Sequence, residues 1–510
     1  MNQFLSELGR RNLGYVLDST PFRPIAPRNS DKFANLIEHA VKNNLKVFID
    51  PDCDPDGYFS ARIIMGIFKK IGYTNYEVGR HDRKRHTLRT AYIAEVISRG
   101  FDVIIIVDSS TNSMDLINYI VDCGKMVAII DHHNPDYQFE DYPHNAIIIN
   151  PLLEDNGVGI VYNKLSAGAI CALVAAYTLR TKFGIRSAMD LYLYGFITLY
   201  SDICDLSNPY NIAYIRAFQN QQLINSDIIS MFMTEYSHFD RNFCSFNIVP
   251  RLNALMRMEE FEMLHTLFFE TEKIESLSQF KEDIDKIYYK CKAYVDHLVS
   301  RCTVDQHKNF VIAYIPEDED PVARNFTGLV ANRVADTYNQ ACLCLYSATS
   351  IDYAGSVRDP FSRDMLSVFK PLMYAAGHGA AFGIEFRKNK LDEIVMLLDT
   401  LDDMFVERQE DVIIIPWDNR TTDEVKAEMQ SMAEYNEFGG QGLPKAIGVM
   451  TIGKNFKIYP GPKMTRVYGN GHKFTVFLNA LAPGDTMLIS PTVNGSDYQL
   501  IVNNVKYNGG

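Results

Sequence analysis

Long apolar runs are missing from this 510-residue chain. None approaches the roughly 20 residues that a membrane-crossing helix needs, so no membrane partner is expected. The stretch from Met1 to Arg11 lacks the apolar centre of a secretory signal. Cysteine is sparse, at nine residues. The number is odd, the positions are scattered, and Cys171, Cys342 and Cys344 lie inside apolar runs. This excludes a disulfide framework and points to reduced thiols in the cytoplasm. Cys342 and Cys344 have no second pair beside them, so they read as strand core rather than metal ligands. Positive charge is also short: 50 Lys and Arg against 63 Asp and Glu leave a net charge of −13. That argues against a protein that coats nucleic acid nonspecifically. It does not exclude a nuclease, because carboxylates that hold cations count as negative. Internal repeats and low-complexity segments are absent.

What is present is an ordinary globular composition, 47% apolar and 22% charged, with length for about three or four domains. Residues 1 to about 210 alternate short β-branched runs with helical segments. Strands are predicted at 46–50, 103–107 and 126–130, and helices from Ser60 to Ile71 and from Gly168 to Thr181. The pattern predicts a parallel sheet with helices on both faces. Residues 185–260 read as mainly helical. From 262 to 300 runs a long helical pattern, with Ile274, Leu277, Ile284, Ile287, Cys291, Tyr294 and Leu298 on one stripe. A second α/β unit follows, with strands at 310–314, 341–346 and 383–386 and helices at 323–338 and 392–409. The last hundred residues read as β-rich, with strands at 412–416, 446–452, 456–459, 473–478, 486–490 and 498–505 and one short helix at 422–434.

The chemistry concentrates at the ends of apolar runs. Leu45 to Ile49 precedes Asp52-Cys53-Asp54-Pro55-Asp56-Gly57. Val103 to Val107 delivers Asp108. Met126 to Ile130 precedes Asp131-His132-His133. A further apolar stretch ends at Asp202, which is expected to arrive from a strand end as Asp108 does. In open α/β sheets, ligands bind where strands end. Asp54 and Asp56 are expected to share a turn, with Gly57 allowing the chain to turn tightly. His132 and His133 diverge, so one can take a metal while the other orients Asp131 or meets substrate. Carboxylates with imidazoles suit Mn²⁺ or Mg²⁺, and two such ions could bridge through a shared carboxylate. Taken alone, these residues describe a dinuclear metallohydrolase. A basic run, Arg80-His81-Asp82-Arg83-Lys84-Arg85-His86 with Arg89 beyond, offers a path for an anionic polymer or a solvated loop.

The motifs together resemble the DHH phosphoesterase superfamily, and within it the RecJ-type single-strand-specific exonucleases. The resemblance runs from about Lys46 to Leu398. It rests on Asp52-Asp54-Asp56-Gly57, Val107-Asp108, Asp131-His132-His133, Asn150-Pro151, Ser166-Ala167-Gly168, Asp202 and Pro250-Arg251-Leu252-Asn253-Ala254. A second unit resembling DHHA1 carries Ser356-Val357-Arg358 and Gly377-His378. The resemblance implies a DHH domain over 1–261, a connector helix over 262–300, a DHHA1 domain over 301–410 and a β-rich C-terminal domain over 411–510. It implies Asp52, Asp54, Asp56, Asp108, His132 and Asp202 as ligands of two Mn²⁺ or Mg²⁺ ions, with Asp131, His132 and His133 in the catalytic motif. It implies substrate contact by His133, Arg251, Asn253, Ser356, Arg358, Gly377, His378, Arg83 and Arg85. The implied activity is exonucleolytic hydrolysis of single-stranded DNA from the 5′ end to 5′-mononucleotides, in replication, recombination or repair. The C-terminal domain would meet a single-strand-binding or replication protein. A phosphodiesterase of short oligonucleotides or cyclic dinucleotides is the alternative. Several positions depart from the family pattern: Ala376 replaces a glycine, Met256 another, and Ser109-Ser110 stands for Asn-Gly. This divergence implies a phage or mobile-element version.

Overall fold

The structure is a computed structural model. It describes residues 2–82, 90–153, 159–221, 226–234, 237–361, 363–400, 412–418, 420–440, 442–460, 465–469, 472–476, 483–484, 486–494 and 497–503. Three sheets organise them. The first contains β1 (Val47–Pro51), β2 (Tyr76–Val78), β3 (Val103–Val107), β4 (Met126–Ile130) and β5 (Ala146–Ile149), in the order β2-β1-β3-β4-β5. Every pairing is parallel. β1 and β3 are buried at every position, as expected of strands covered on both faces. Alternate side chains feed two cores. Val47, Ile49, Val103, Ile105 and Ile130 pack with the helices Ser30–Lys42, Pro55–Ile71 and Ala167–Phe183. Phe48, Ile104, Ile106, Val127 and Ile129 pack against Thr90–Ser98 and Met114–Asp122. The parallel sheet with helices on both faces is therefore as predicted.

The second sheet is mixed, in the order β10-β11-β9-β8-β7-β6. Its strands are β6 (Thr303–Gln306), β7 (Phe310–Tyr314), β8 (Ala341–Ser347), β9 (Asp352–Arg358), β10 (Tyr374–His378) and β11 (Ala381–Arg387). The third sheet has seven strands, in the order β12-β13-β17-β18-β16-β15-β14. They are β12 (Val412–Pro416), β13 (Lys445–Thr451), β14 (Lys457–Pro460), β15 (Thr465–Gly469), β16 (His472–Val476), β17 (Thr486–Asn494) and β18 (Asp497–Asn503). β15 was not expected from the sequence. The helix Thr422–Glu437 covers this sheet. It starts at a capping box in which Thr421 and Glu424 satisfy each other's backbone N–H groups.

Three expectations need correction. The first long helix begins at Pro55, not Ser60, because Asp54 caps it and proline suits its first turn. The pattern over 262–300 is broken into helices Phe261–Phe269 and Leu277–Arg301. The second starts where the Ser276 side chain accepts from the Gln279 N–H, a local alternative to continuing the first helix. Asp202 does not leave a strand. It terminates the helix Met189–Ser201, whose residues Leu191 to Tyr200 are all buried. A helix buried on every side carries no amphipathic period and reads like a buried strand.

The chain's beginning packs on its C-terminal sheet. Phe4 of the helix Gln3–Arg10 meets Tyr435 edge-on at 5.4 Å, and both are buried. Glu428, buried in the same seam, accepts from the Gln3 backbone N–H, from Arg420 at 2.9 Å and from the indole of Trp417 at 3.2 Å. Replacing Glu428 by alanine strands these donors, and breaking such a buried network costs about 3 kcal/mol. Trp417 is the single tryptophan. Its emission during urea unfolding should therefore show a lowered midpoint for Glu428→Ala.

Candidate metal centre

The register of the first sheet builds the site. Pro51 pairs with Val107, and Val107 with Ile130. The next residue of each strand is thus Asp52, Asp108 and Asp131, side by side at one edge. Their N–H groups continue the ladder, to Val107, Ile130 and Ile149 carbonyls at 3.2, 2.8 and 3.0 Å. Asp108 takes a left-handed backbone, φ 64°, as does Ser110, φ 74°. Ser110 thus adopts a conformation that glycine accepts more readily.

Asp54 and Asp56 reach the same edge through the helix Pro55–Ile71. Asp54 accepts from the Gly57 N–H at 2.9 Å. Gly57 is helical, so it does not serve a tight turn. It allows close approach: a β-carbon there would fall 2.5 Å from the Asp52 carbonyl oxygen. Asp56 accepts from Ala167 N–H at 2.9 Å and Gly168 N–H at 2.8 Å. These are the first amides of the helix Ala167–Phe183, where backbone N–H groups favour an anion. A β-carbon at Gly168 would lie 2.9 Å from an Asp56 oxygen, which explains the Ser-Ala-Gly helix start.

Three sets of side chains converge closely enough to hold cations: Asp52, Asp54 and Asp108; Asp56, His132 and Asp202; and Asp108, His132 and His133. Within each set the candidate ligand atoms lie within 4.8 Å of one another. His132 Nε2 lies 3.4 Å from Asp108, 3.6 Å from Asp202 and 3.9 Å from Asp56. Burial, and the neighbouring carboxylates Asp202 and Asp54, push Asp56 well above the usual carboxylate range. Burial and the charges of Asp56, Asp54, Asp52 and Asp202 do the same to Asp108. Asp108 Oδ1 and His132 Nε2 are buried without a hydrogen-bond partner among the described residues. Asp202 ends a helix, where the dipole opposes a negative charge. Crowded carboxylates beside an unsatisfied imidazole nitrogen are what divalent cations relieve, so the residues fit Mn²⁺ or Mg²⁺.

Asp131 stands apart from these three sets. Its carboxylate is buried and accepts from the N–H groups of His132 at 2.7 Å, His133 at 3.2 Å and Thr111 at 3.0 Å. His133 Nδ1 lies 2.7 Å from it. Burial works against the charge, but the bond from His133 and the nearby imidazoles hold Asp131 well below its ordinary value. Burial opposes the charge on His133 as well, yet its bond to Asp131 pushes the imidazole up to about 10. Asp50 is buried behind the cluster and is pushed up to about 8 by burial and Asp52, against a hydrogen bond from Tyr92. It joins none of the three sets.

The structure also contains an open cavity of about 1350 Å³. Its lining includes Ile203, the residue after Asp202, with Arg257, Ser356 and Arg358, and Gly442 to Lys445 from the C-terminal part. Ser356 Oγ lies 2.8 Å from Thr327 Oγ1. Burial and mutual repulsion depress the pKa of Arg358. Arg257 was missed from sequence. It follows Arg251 by six residues in the helix Val249–Arg257, and the two lie on different sides of it. Arg251 donates to Asp285 at 2.6 Å and lies over the Tyr288 ring, outside the cavity lining. Asn253 is half-buried on that helix. Gly377 also lies outside the lining. A β-carbon there would come within 2.8 Å of the Ala381 carbonyl oxygen, and its φ is 139°. Arg83, Arg85 and the side chain of His378 lie outside the described residues.

Residues 46–195 match the family model for the DHH family, N-terminal domain. That stretch of the chain is similar to the DHH N-terminal domain. YorK of Bacillus subtilis strain 168, an SPbeta prophage product named as a single-strand DNA-specific exonuclease, is 25% identical over 408 residues, 71% of this chain and 67% of that one. The single-stranded-DNA-specific exonuclease RecJ of Haemophilus influenzae is 21% identical over 463 residues, 81% of this chain and 76% of that one. Crystalline RecJ from Thermus thermophilus, in complex with Mn²⁺, superposes with a TM-score of 0.76 at 15% identity, over 99% of this chain and 75% of that one. The chain therefore shares the RecJ fold, and the acidic edge at Asp52, Asp108 and Asp131 lies within the residues similar to the DHH model.

If the DHH cluster holds cations, Mn²⁺ at about a hundred times its Kd should stabilise the protein by about 2.7 kcal/mol. Asp108→Asn should raise the Tm of metal-free protein, by removing repulsion, and should abolish most of the Mn²⁺-dependent rise. Calorimetry with and without Mn²⁺ checks both signs.

Proposed function

We propose that this protein is a metal-dependent exonuclease that hydrolyses phosphodiester bonds of single-stranded DNA, from the 5′ end, releasing 5′-mononucleotides. The observation that carries the reading is a cluster of carboxylates and imidazoles in the same molecule as a large open cavity that presents two arginines. Asp52, Asp54, Asp56, Asp108, His132 and Asp202 would hold two Mn²⁺ or Mg²⁺ ions. When bound, such ions neutralise phosphate oxygens and make a water acidic enough to supply hydroxide near neutral pH. Asp131 acts through its hydrogen bonds, fixing the ring of His133 and the backbone of both histidines. His133, half-exposed and held by Asp131, faces the phosphate as a donor. Arg257 and Arg358 supply planar forks that match phosphate oxygens, and Ser356 adds a hydroxyl. Arg251, engaged by Asp285, positions the helix that carries Arg257.

The volume favours a polymer over a small ester. About 1350 Å³ exceeds the 300–1,000 Å³ typical of small-molecule sites. Exposed Tyr374 on its wall offers a face on which a base can stack. The C-terminal sheet, which lends Leu443 and Lys445 to the same wall, is assigned contact with the strand or with a single-strand-binding or replication protein. All nine cysteines are free thiols, which supports a cytoplasmic location.

Digestion of 5′-labelled and 3′-labelled single-stranded oligomers with Mn²⁺ tests the reading. The 5′ label should leave first as mononucleotide while duplex resists. Arg358→Ala should lower kcat/KM about 100-fold, and Asp108→Asn should abolish turnover. Cleavage confined to dinucleotides or cyclic dinucleotides would replace the exonuclease with the small-substrate reading.

A further inference from the structure

Ile203 has three properties that are rarely found together. Its backbone is left-handed, φ 50°, which a β-branched residue adopts only under constraint. Its side chain is apolar yet 67% exposed. It lines the cavity and directly follows Asp202 in the chain, so it joins the cavity wall to a residue of the acidic cluster. Backbone strain of this kind persists where surrounding contacts over-determine it, and it concentrates at functional positions.

The constraints can be named. Cys204 N–H returns to Leu199 O at 3.0 Å. Asp205 Oδ1 accepts from the Ser207 N–H at 2.9 Å and from its hydroxyl at 2.6 Å. Asn211 donates to the Asp205 carbonyl at 3.0 Å, and Tyr15 donates to the Ser207 carbonyl. From the C-terminal part, Gly440 sits where a β-carbon would meet Leu206 at 2.5 Å, and a β-carbon at Gly442 would run into the Asp205 carboxylate. Arg241 ties the preceding Gly439 carbonyl to the catalytic half. The loop after Asp202 is therefore clamped from two sides, and the clamp turns Ile203 outward rather than into the core.

We propose that Ile203 is the apolar platform against which the nucleoside of the nucleotide being released packs, so that it acts as a substrate-specificity residue. The inference rests on the single-stranded-DNA reading above. Phosphate in this cavity is met by Arg257 and Arg358, which recognise charge and carry no preference for a base. An apolar surface beside the metal ligands supplies what they lack: contact with a base or sugar face, non-directional and tolerant of all four bases. A terminal nucleotide without a base would lose that contact.

The test uses the full chain with Mn²⁺ and two single-stranded substrates, one ordinary and one abasic at the nucleotide that is released. Ile203→Asn keeps a residue that accepts the left-handed conformation, and Ile203→Gly removes the side chain. Both variants should keep wild-type Tm and wild-type Mn²⁺ affinity by titration calorimetry. On the ordinary substrate, kcat/KM should fall three- to tenfold, mainly through KM. On the abasic substrate, the variants should match wild type. An equal loss on both substrates, or weakened Mn²⁺ binding, would assign Ile203 to holding Asp202 and overturn the platform. Variants that match wild type on the ordinary substrate would overturn it too, leaving the exonuclease reading intact. A wild type that degrades no single strand would overturn both.

Discussion

One constraint underlies the acidic edge: three parallel strands end in step. Because Pro51, Val107 and Ile130 lie in one row, the residues after them must emerge together, whatever their charge. Hydrophobic burial on both faces of the sheet fixes that row, since a shift of one residue would turn every core side chain to the wrong face. Folding thus forces carboxylates into proximity that electrostatics alone would forbid. The crowding at Asp56 and Asp108 stores the attraction for cations, and the two apolar cores hold it in place.

Much of this was legible in the sequence because it is written in local patterns. Strand runs rich in valine and isoleucine marked β1, β3 and β4, and the aspartates and histidines after them marked the edge. The rest depended on contacts that no local pattern encodes. Asp202 was placed at a strand end, because a helix buried all round loses its period. Gly57 was read as a turn glycine, whereas its requirement comes from the Asp52 backbone lying against it. The motif arginine, Arg251, is engaged by Asp285 from a different helix, while Arg257, one and two-thirds turns later, faces the cavity. A side chain's partner across a helix pair is tertiary information, and spacing alone does not supply it.

The three sheets are not independent parts strung together. The cavity takes its walls from Ile203 and Arg257, from β9 to β11 of the second sheet, and from the residues leading into β13 of the third. The small residues at the joints, Gly440 and Gly442, matter for what they leave out, because any side chain there would push the C-terminal part off the loop that carries Asp202. Site geometry is in this sense a property of the whole chain.

The seam between the first helix and the third sheet bears on how the molecule is made. Asn2 hydrogen-bonds Ser431, 429 positions later. At about 5–20 residues per second, a ribosome takes on the order of a minute to synthesise that interval. During that time Phe4 and Leu8, buried in the finished protein, lack the cover that the helix Thr422–Glu437 and β12 supply. The helix Gln3–Arg10 can dock on the third sheet only once that sheet is made, and until then its apolar stripe is a natural target for chaperones that attend the growing chain. Closing so long a loop adds little to the equilibrium cost but delays completion. The same seam closes a loop of 429 positions through side-chain contact.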